Sequence, residues 1–163
     1  MRYNGVANNL VGGDSVPTAT LSIVFSRTPA EVNALFGDLE KTPLWNTMVL
    51  EAKQTKGDVP AVGAEFLYKT VFLGKQIEIP YVATEYEQDK KLVIKTATPF
   101  PQEYMWTFES IPEGTRLTFT MTVEPGGYYK LATPLIEAMA LRAWKTSLEN
   151  LKGLLEAPVA TTV

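Results

Sequence analysis

Most of the chain alternates between apolar and polar residues with the period of two that is typical of a half-buried β-strand. In the first such run, Leu21, Ile23 and Phe25 share one face. Turn residues connect this run to those that follow, and consecutive strands with short connections predict an antiparallel meander. The pattern predicts strands over residues 18–27, 48–56, 65–73, 76–87, 91–98, 102–111 and 115–124. Pro80 interrupts one of them, so we expect an edge or a bulge there, because proline cannot donate to the ladder.

The period changes after the first strand. Thr28, Pro29 and Glu31 have the spacing of a capping box with proline at the first helical position, which predicts a short helix to about Leu39. Residues 40–46 are typical of a second short helical turn. Two short helices therefore separate the first strand from the second.

The last long segment has a helical period. From residue 131 onward, apolar residues recur in steps of three or four, which predicts one amphipathic helix that begins near Tyr128. Such a helix needs a broad apolar surface to cover, and the predicted sheet is the candidate. The predicted seam consists of Leu131, Leu135, Ala138, Leu141, Trp144, Leu148, Leu151 and Leu155.

Composition restricts the chemistry more than it identifies it. The 163 residues include no cysteine and no histidine, so thiolate and histidine metal sites and Ser-His or Cys-His catalysis are excluded. We expect no metal and no cofactor. The net charge is -3, from 15 basic and 18 acidic residues without a basic stripe, and we expect no nucleic-acid partner.

Domain organisation follows from length and from the distribution of polar residues. We expect a flexible arm over residues 1–16, a single domain over residues 17–156 and a flexible tail over residues 157–163. No segment has the apolar length of a signal peptide or a membrane span, so we expect a cytoplasmic protein without membrane insertion. Valines on the outer sheet face leave monomer and homodimer open as alternatives.

Several segments, in this order, resemble the SRPBCC superfamily, which includes START domains, the birch-pollen allergen family and polyketide cyclases/dehydrases. They are residues 26–32 (SRTPAEV), 39–46 (LEKTPLWN), 62–66 (VGAEF), 82–87 (VATEYE), 107–109 with 114–117 (TFE, GTRL) and 124–127 (EPGG). The polyketide cyclase/dehydrase-like branch is the most similar. The resemblance implies an α+β helix-grip fold, in which a seven-stranded curved antiparallel sheet wraps around the C-terminal helix and encloses an apolar cavity.

Strand parity supplies the candidate cavity wall. The more apolar faces of the strands should point toward the helix, and they are rich in aromatic residues. Taken singly, each such residue is more typical of plain core; taken together, they are difficult to pack without leaving a hollow. The predicted ligand-binding residues are Trp45, Phe66, Tyr68, Phe72, Ile79, Tyr81, Ile94, Tyr104, Trp106, Phe119, Met121, Leu135 and Met139.

Candidate catalytic groups are few. The same parity places Glu78, Glu103 and Glu109 on the outer face, so we expect these carboxylates in solvent. Tyr68 and Tyr81 are the remaining weak candidates, because a phenol can donate a hydrogen bond to a developing oxyanion without a histidine. No general base is predicted beside them, and the catalytic residues stay unknown.

Three functions remain open at this point. The first is binding of a hydrophobic small molecule, lipid-, polyketide- or aromatic-like, in the internal cavity. The second is a cyclase or dehydratase that uses tyrosine hydrogen bonds. The third is a partner-binding or regulatory domain with a vestigial cavity, which an inner face filled by side chains, with no cavity of at least about 300 Å³, would favour.

Overall fold

The computed structural model of the chain describes residues 18–58 and 60–157. The predicted arm, residues 1–16, lies outside these residues, as does the predicted tail apart from residue 157. None of the described helices is both long and apolar enough to cross a membrane.

Seven strands form one antiparallel sheet, in the order β1-β7-β6-β5-β4-β3-β2. Strands β2 to β7 follow one another across the sheet in sequence order, which makes them an antiparallel meander. The first strand, β1, pairs with β7 at the opposite edge of the sheet from β2. The α+β helix-grip architecture predicted from the sequence is confirmed. The strands are β1 (Thr18–Phe25), β2 (Val49–Lys56), β3 (Glu65–Phe72), β4 (Lys75–Glu87), β5 (Lys91–Thr96), β6 (Gln102–Ile111) and β7 (Gly114–Val123).

Two short helices connect β1 to β2: α1 (Pro29–Phe36) and α2 (Thr42–Trp45), with a 3₁₀ turn at Leu39–Lys41 between them. The capping box is present, since the Thr28 hydroxyl accepts from the Glu31 amide at 3.3 Å and the Glu31 carboxylate accepts from the Thr28 amide at 2.8 Å. Each side chain thereby satisfies an amide that the first helical turn leaves unpaired.

Pro80 lies inside β4, where it pairs with Leu67 of β3. On the other side of β4, pairing with β5 begins only at Val82, and the register shifts between Ala83 and Glu85. The proline therefore occupies a stretch of β4 that has a single neighbouring strand. The expectation of an edge is met locally, and the bulge lies a few residues further along the strand.

The C-terminal helix, α3 (Thr133–Glu156), covers the inner face of the sheet. A 3₁₀ segment at Gly127–Ala132 precedes it, and Pro134 stands in its first turn. At 3.6 residues per turn, Leu135 lies about 180° around α3 from Trp144, whereas Ile136 lies only about 80° from it, so Ile136 and not Leu135 faces the sheet. The predicted seam is wrong in its first three positions: Leu131 is 97 % exposed, Leu135 is 58 % exposed, and Ala138 is exposed as well. From Trp144 to Leu151 every predicted position is buried, and Ser147, which was not predicted, is buried with them.

Polar contacts attach the C-terminal half of α3 to the rest of the fold. The Lys152 ammonium donates to the Val24 carbonyl at 2.6 Å, and the Ser26 amide donates to the Glu156 carboxylate at 2.6 Å. Nearer the middle of α3, the Ser147 hydroxyl accepts from the Thr47 amide at 3.0 Å. These contacts fix the C-terminal half of α3 against β1 and the segment after α2.

Candidate ligand cavity

A cavity of about 170 Å³, here called the outer cavity, lies between the inner face of the sheet and the N-terminal half of α3. Its mouth opens beside Val71, Leu73 and Met139, which are about half exposed. The remaining wall is formed by Asn46, Met48, Val49, Tyr68, Thr70, Phe72, Ile79, Tyr81, Ile94, Pro99, Phe100, Gln102, Tyr104, Val123, Ile136, Ala140, Ala143 and Trp144. None of these described residues carries a charge.

The turn between β3 and β4 brings an apolar side chain to the mouth. Leu73 has φ 47° and Gly74 has φ 78°, the signs that a two-residue hairpin turn requires at both central positions. A leucine in this left-handed conformation costs about 1–2 kcal/mol. The turn therefore keeps an apolar side chain at the mouth despite an unfavourable backbone.

The polar side chains of the wall include three phenols, two carboxamides and a threonine hydroxyl. Tyr81 lies between the other two, with ring centroids 5.2 Å from Tyr68 and 6.0 Å from Tyr104. The Tyr104 hydroxyl donates to the Gln102 side-chain oxygen at 2.6 Å, and the Thr70 hydroxyl donates to the Met48 carbonyl. Most of the wall is apolar, with a small number of hydroxyls that can orient a ligand.

Burial keeps these phenols protonated. It raises the pKa of Tyr104 to about 12, against smaller opposing effects of Tyr81 and Trp144. Burial likewise raises the pKa of Tyr68, opposed by the Thr42 hydroxyl, and raises the pKa of Tyr81, with the Tyr104 and Tyr68 phenols adding to the shift. At neutral pH all three are hydrogen-bond donors, and none is a base.

The outer cavity is smaller than the 300 Å³ or so set above for a ligand container, so its volume favours the third function over the binding of a large ligand and leaves room only for a small one. An aromatic cluster is the reason, because it fills the space between sheet and helix beyond Tyr104. Trp144 of α3 packs against Phe119, with ring centroids 4.4 Å apart, and against Trp106 at 5.7 Å. A cavity of about 150 Å³ is known to admit benzene, so the outer cavity is the size of a single ring.

A second cavity, here called the inner chamber, lies on the other side of Tyr68, Ile94 and Trp144, which line both spaces. It measures about 30 Å³. Its other walls are Phe36, Gly37, Leu39, Trp45, Pro60, Phe66, Ala83, Leu92 and Trp106.

The structure distributes the predicted ligand-binding residues over several places. Trp45, Phe66 and Trp106 line only the inner chamber. Phe119 and Met121 are buried in the core and line neither cavity. The residues that line the outer cavity are Tyr68, Phe72, Ile79, Tyr81, Ile94, Tyr104 and Met139.

The structure corrects the prediction made for Leu135. It was predicted to face a ligand, but it lies outside both cavity walls, because α3 turns Ile136 toward the sheet in its place. The carboxylates predicted on the outer face are there: Glu103 pairs with Lys95 at 2.8 Å, and Glu109 pairs with Arg116 at 2.8 Å.

Sequence reasoning missed the end wall of the outer cavity. Phe100 belongs to the loop between β5 and β6, and its ring contacts Phe72 at 6.0 Å and Tyr129 at 5.4 Å. Tyr129 therefore packs over this end of the cavity, whereas Tyr128 is 89 % exposed. Because Tyr128 and Tyr129 are adjacent and lie in a short 3₁₀ segment, no apolar periodicity predicts which of them is packed and which is exposed. Ala140 and Ala143 were missed because they are small: they leave the hollow that larger residues would fill.

Solved structures with the same fold are numerous. A protein of Thermus thermophilus superposes with a TM-score of 0.73 at 19 % identity, over 90 % of this chain and 100 % of that one. A START superfamily protein from Mycobacterium smegmatis has a TM-score of 0.69 at 14 % identity, over 85 % and 97 %. Ara h 8.0201 has a TM-score of 0.69 at 12 % identity, over 88 % and 100 %. At these identities the likeness shows the fold alone.

The sequence comparisons give the family. No curated protein sequence matches the chain significantly. A family model described as "Polyketide cyclase / dehydrase and lipid transport" matches residues 17–156, which confirms the resemblance to the SRPBCC superfamily. The chain belongs to the polyketide cyclase/dehydrase and lipid transport family.

Proposed function

We propose that the protein binds an uncharged, largely apolar small molecule in the outer cavity, with a buried portion of about one ring. The observation that carries this proposal is the wall itself: an apolar hollow of about 170 Å³ whose described lining residues include no charged side chain. A charged ligand group would lose its hydration there without gaining a counter-charge. A lipid or a multi-ring polyketide would have to leave most of its length outside the mouth.

Binding is better supported than turnover. An enzyme of the cyclase or dehydratase type needs a group that accepts a proton from the substrate. The described residues around the outer cavity offer protonated phenols, a carboxamide pair and a hydroxyl, but no carboxylate and no amine. Tyr68 and Tyr81 can orient a ligand oxygen, which supports a role in positioning.

Filling the cavity tests the proposal. We expect Ala140→Phe to weaken the binding of ethylbenzene, a neutral one-ring probe, at least tenfold, because the new ring occupies the space that the probe would take. Binding is measured by titration of the chain's tryptophan fluorescence, since Trp144 lines the cavity. Native mass spectrometry of freshly expressed protein complements the titration, because a retained ligand would reveal its own chemical class.

The matched control is Ala138→Phe, the same substitution on the exposed side of the same helix. We expect it to leave the affinity for ethylbenzene within about twofold of the unmodified protein, since distant surface changes have small effects. Equal affinities of Ala140→Phe and Ala138→Phe would place the binding site elsewhere. If the unmodified protein binds no one-ring probe, the third function, a partner-binding domain with a vestigial cavity, becomes the better account.

A further inference from the structure

The inner chamber is lined by three tryptophans whose indole N–H groups have no hydrogen-bond acceptor among the described residues. Trp45, Trp106 and Trp144 are the three tryptophans of the chain, and each is 3 % exposed. Their indole nitrogens are buried, and none makes a hydrogen bond to any described residue. Buried polar groups in native proteins are nearly always hydrogen-bonded, so three unpaired N–H groups on residues that line one chamber require an explanation.

One of the three indoles, that of Trp144, has a polar group nearby. The Trp144 indole lies close enough to the Tyr104 phenol to lower its pKa, although the contact lacks hydrogen-bond geometry. Trp45 and Trp106 have no such neighbour among the contacts described. Both indoles pack against Phe36, whose ring centroid is 5.5 Å from that of Trp45 and 5.2 Å from that of Trp106.

The chamber can receive a group of two or three atoms. Its volume of about 30 Å³ exceeds the ~10–15 Å³ that a single water molecule needs. It adjoins the outer cavity across Tyr68, Ile94 and Trp144, which belong to both walls. A substituent on a ring held in the outer cavity would therefore have to pass only these three side chains.

The chemistry of the wall restricts that substituent. The polar side chains that line the inner chamber are the three indoles, which only donate, and the Tyr68 phenol, which burial keeps protonated. None of the described lining residues is a cation, so a carboxylate would be buried without a partner. A hydroxyl or amine would bring a further hydrogen-bond donor to a chamber whose polar side chains are already donors. An uncharged group that only accepts hydrogen bonds therefore fits the chamber.

We propose that the inner chamber is an acceptor subsite, in which the Trp45 and Trp106 indoles donate to an uncharged carbonyl or ether oxygen of the ligand. The ring of the same ligand lies in the outer cavity, so this inference rests on the proposed function. It changes the expected ligand from any apolar molecule to a ketone, ester, lactone or quinone of about one ring.

Two one-ring probes test the subsite. Acetophenone carries a carbonyl where ethylbenzene carries a methylene, so it adds one acceptor oxygen to a side chain with the same carbon atoms. We expect acetophenone to bind about threefold to tenfold more tightly in calorimetric titrations, the factor expected of one net hydrogen bond. We also expect acetophenone, and not ethylbenzene, to move the indole N–H proton signal of Trp45 or Trp106 downfield in ¹H–¹⁵N spectra. With three tryptophans in the chain, three single Trp→Phe variants assign these signals.

Trp106→Phe keeps a ring at the chamber wall and removes its N–H. We expect the affinity ratio of acetophenone to ethylbenzene to fall toward one in this variant. Because both probes are measured on the same protein, a general loss of packing cancels from the ratio. If the variant does not fold, the indole shifts of the unmodified protein decide the question alone.

The outcomes separate this inference from the proposed function. Equal affinities for the two probes with unmoved indole signals would mean that ordered water alone satisfies the indoles, and would overturn the acceptor subsite while leaving the outer cavity as a binding site. Failure of both probes to bind would overturn the proposed function and the subsite together.

Discussion

Trp144→Ala is expected to lower the free energy of unfolding by about 3–5 kcal/mol, the range for removal of a large aromatic side chain from a well-packed core. Trp144 is the residue through which α3 contacts the aromatic cluster of the sheet. Its ring lies 4.4 Å from that of Phe119, 5.4 Å from Tyr104 and 6.5 Å from Trp45. Alanine would leave these rings facing a void continuous with both cavities. Urea denaturation followed by circular dichroism measures the loss.

Leu135→Ala is the matched control for this substitution. It removes an apolar side chain from the same helix, but from a position that is 58 % exposed. We expect a loss of no more than about 0.5 kcal/mol, as for an ordinary surface substitution. Comparable losses at the two positions would contradict the helix phase described above, in which Ile136 and Trp144, and not Leu135, face the sheet.

Gly114→Ala is expected to cost about 3 kcal/mol or more, because a forced contact with backbone adds to an unfavourable conformation. Gly114 begins β7 with φ 132°, a value that residues with a side chain rarely adopt. A Cβ atom there would lie 2.2 Å from the Phe25 carbonyl oxygen and 2.8 Å from the Arg27 amide nitrogen. Both contacts are backbone atoms at the end of β1, so neither can move aside as a flexible side chain could.

Gly74→Ala separates the two causes. Gly74 also has a positive φ, 78°, but a Cβ atom there would have no neighbour within 4 Å among the described residues. We expect this control to lose only the conformational part, about 1–2 kcal/mol. The midpoints of thermal unfolding should therefore rank in the order unmodified protein, Gly74→Ala, Gly114→Ala. A smaller loss at Gly114 than at Gly74 would show that β1 and β7 do not approach as closely as described.

Local sequence signals predicted the frame of the fold well. The capping box of Thr28 and Glu31 satisfies backbone amides within one turn, so nothing distant can override it. Strand parity likewise placed Tyr68, Tyr81 and Tyr104 on one inner face, because the side-chain period of a strand is two and neighbouring strands are locked in register.

The errors arose where geometry is set by contacts distant in sequence. Leu131 lies in the 3₁₀ segment before Thr133, and Leu135 lies on the side of α3 opposite Trp144, which apolar steps of three or four residues do not reveal. The size of the cavity depends on how Trp144 packs against rings from three other elements. A list of inner-face residues contains both the cavity wall and the side chains that fill it, and only their packing distinguishes Tyr81, at the wall, from Phe119, in the core.

The most direct test of the account is the position of a bound neutral one-ring probe. In ¹³C-edited nuclear Overhauser spectra of the unmodified protein with saturating ethylbenzene, we predict contacts from the probe to the methyl groups of Ile79, Ile94 and Met139, which line the outer cavity from β4, β5 and α3. The methyl groups of Leu44 and Val62, exposed and outside both cavities, should show none. Contacts confined to exposed methyl groups, or none at saturation, would contradict the claim that the space between sheet and helix holds a ligand.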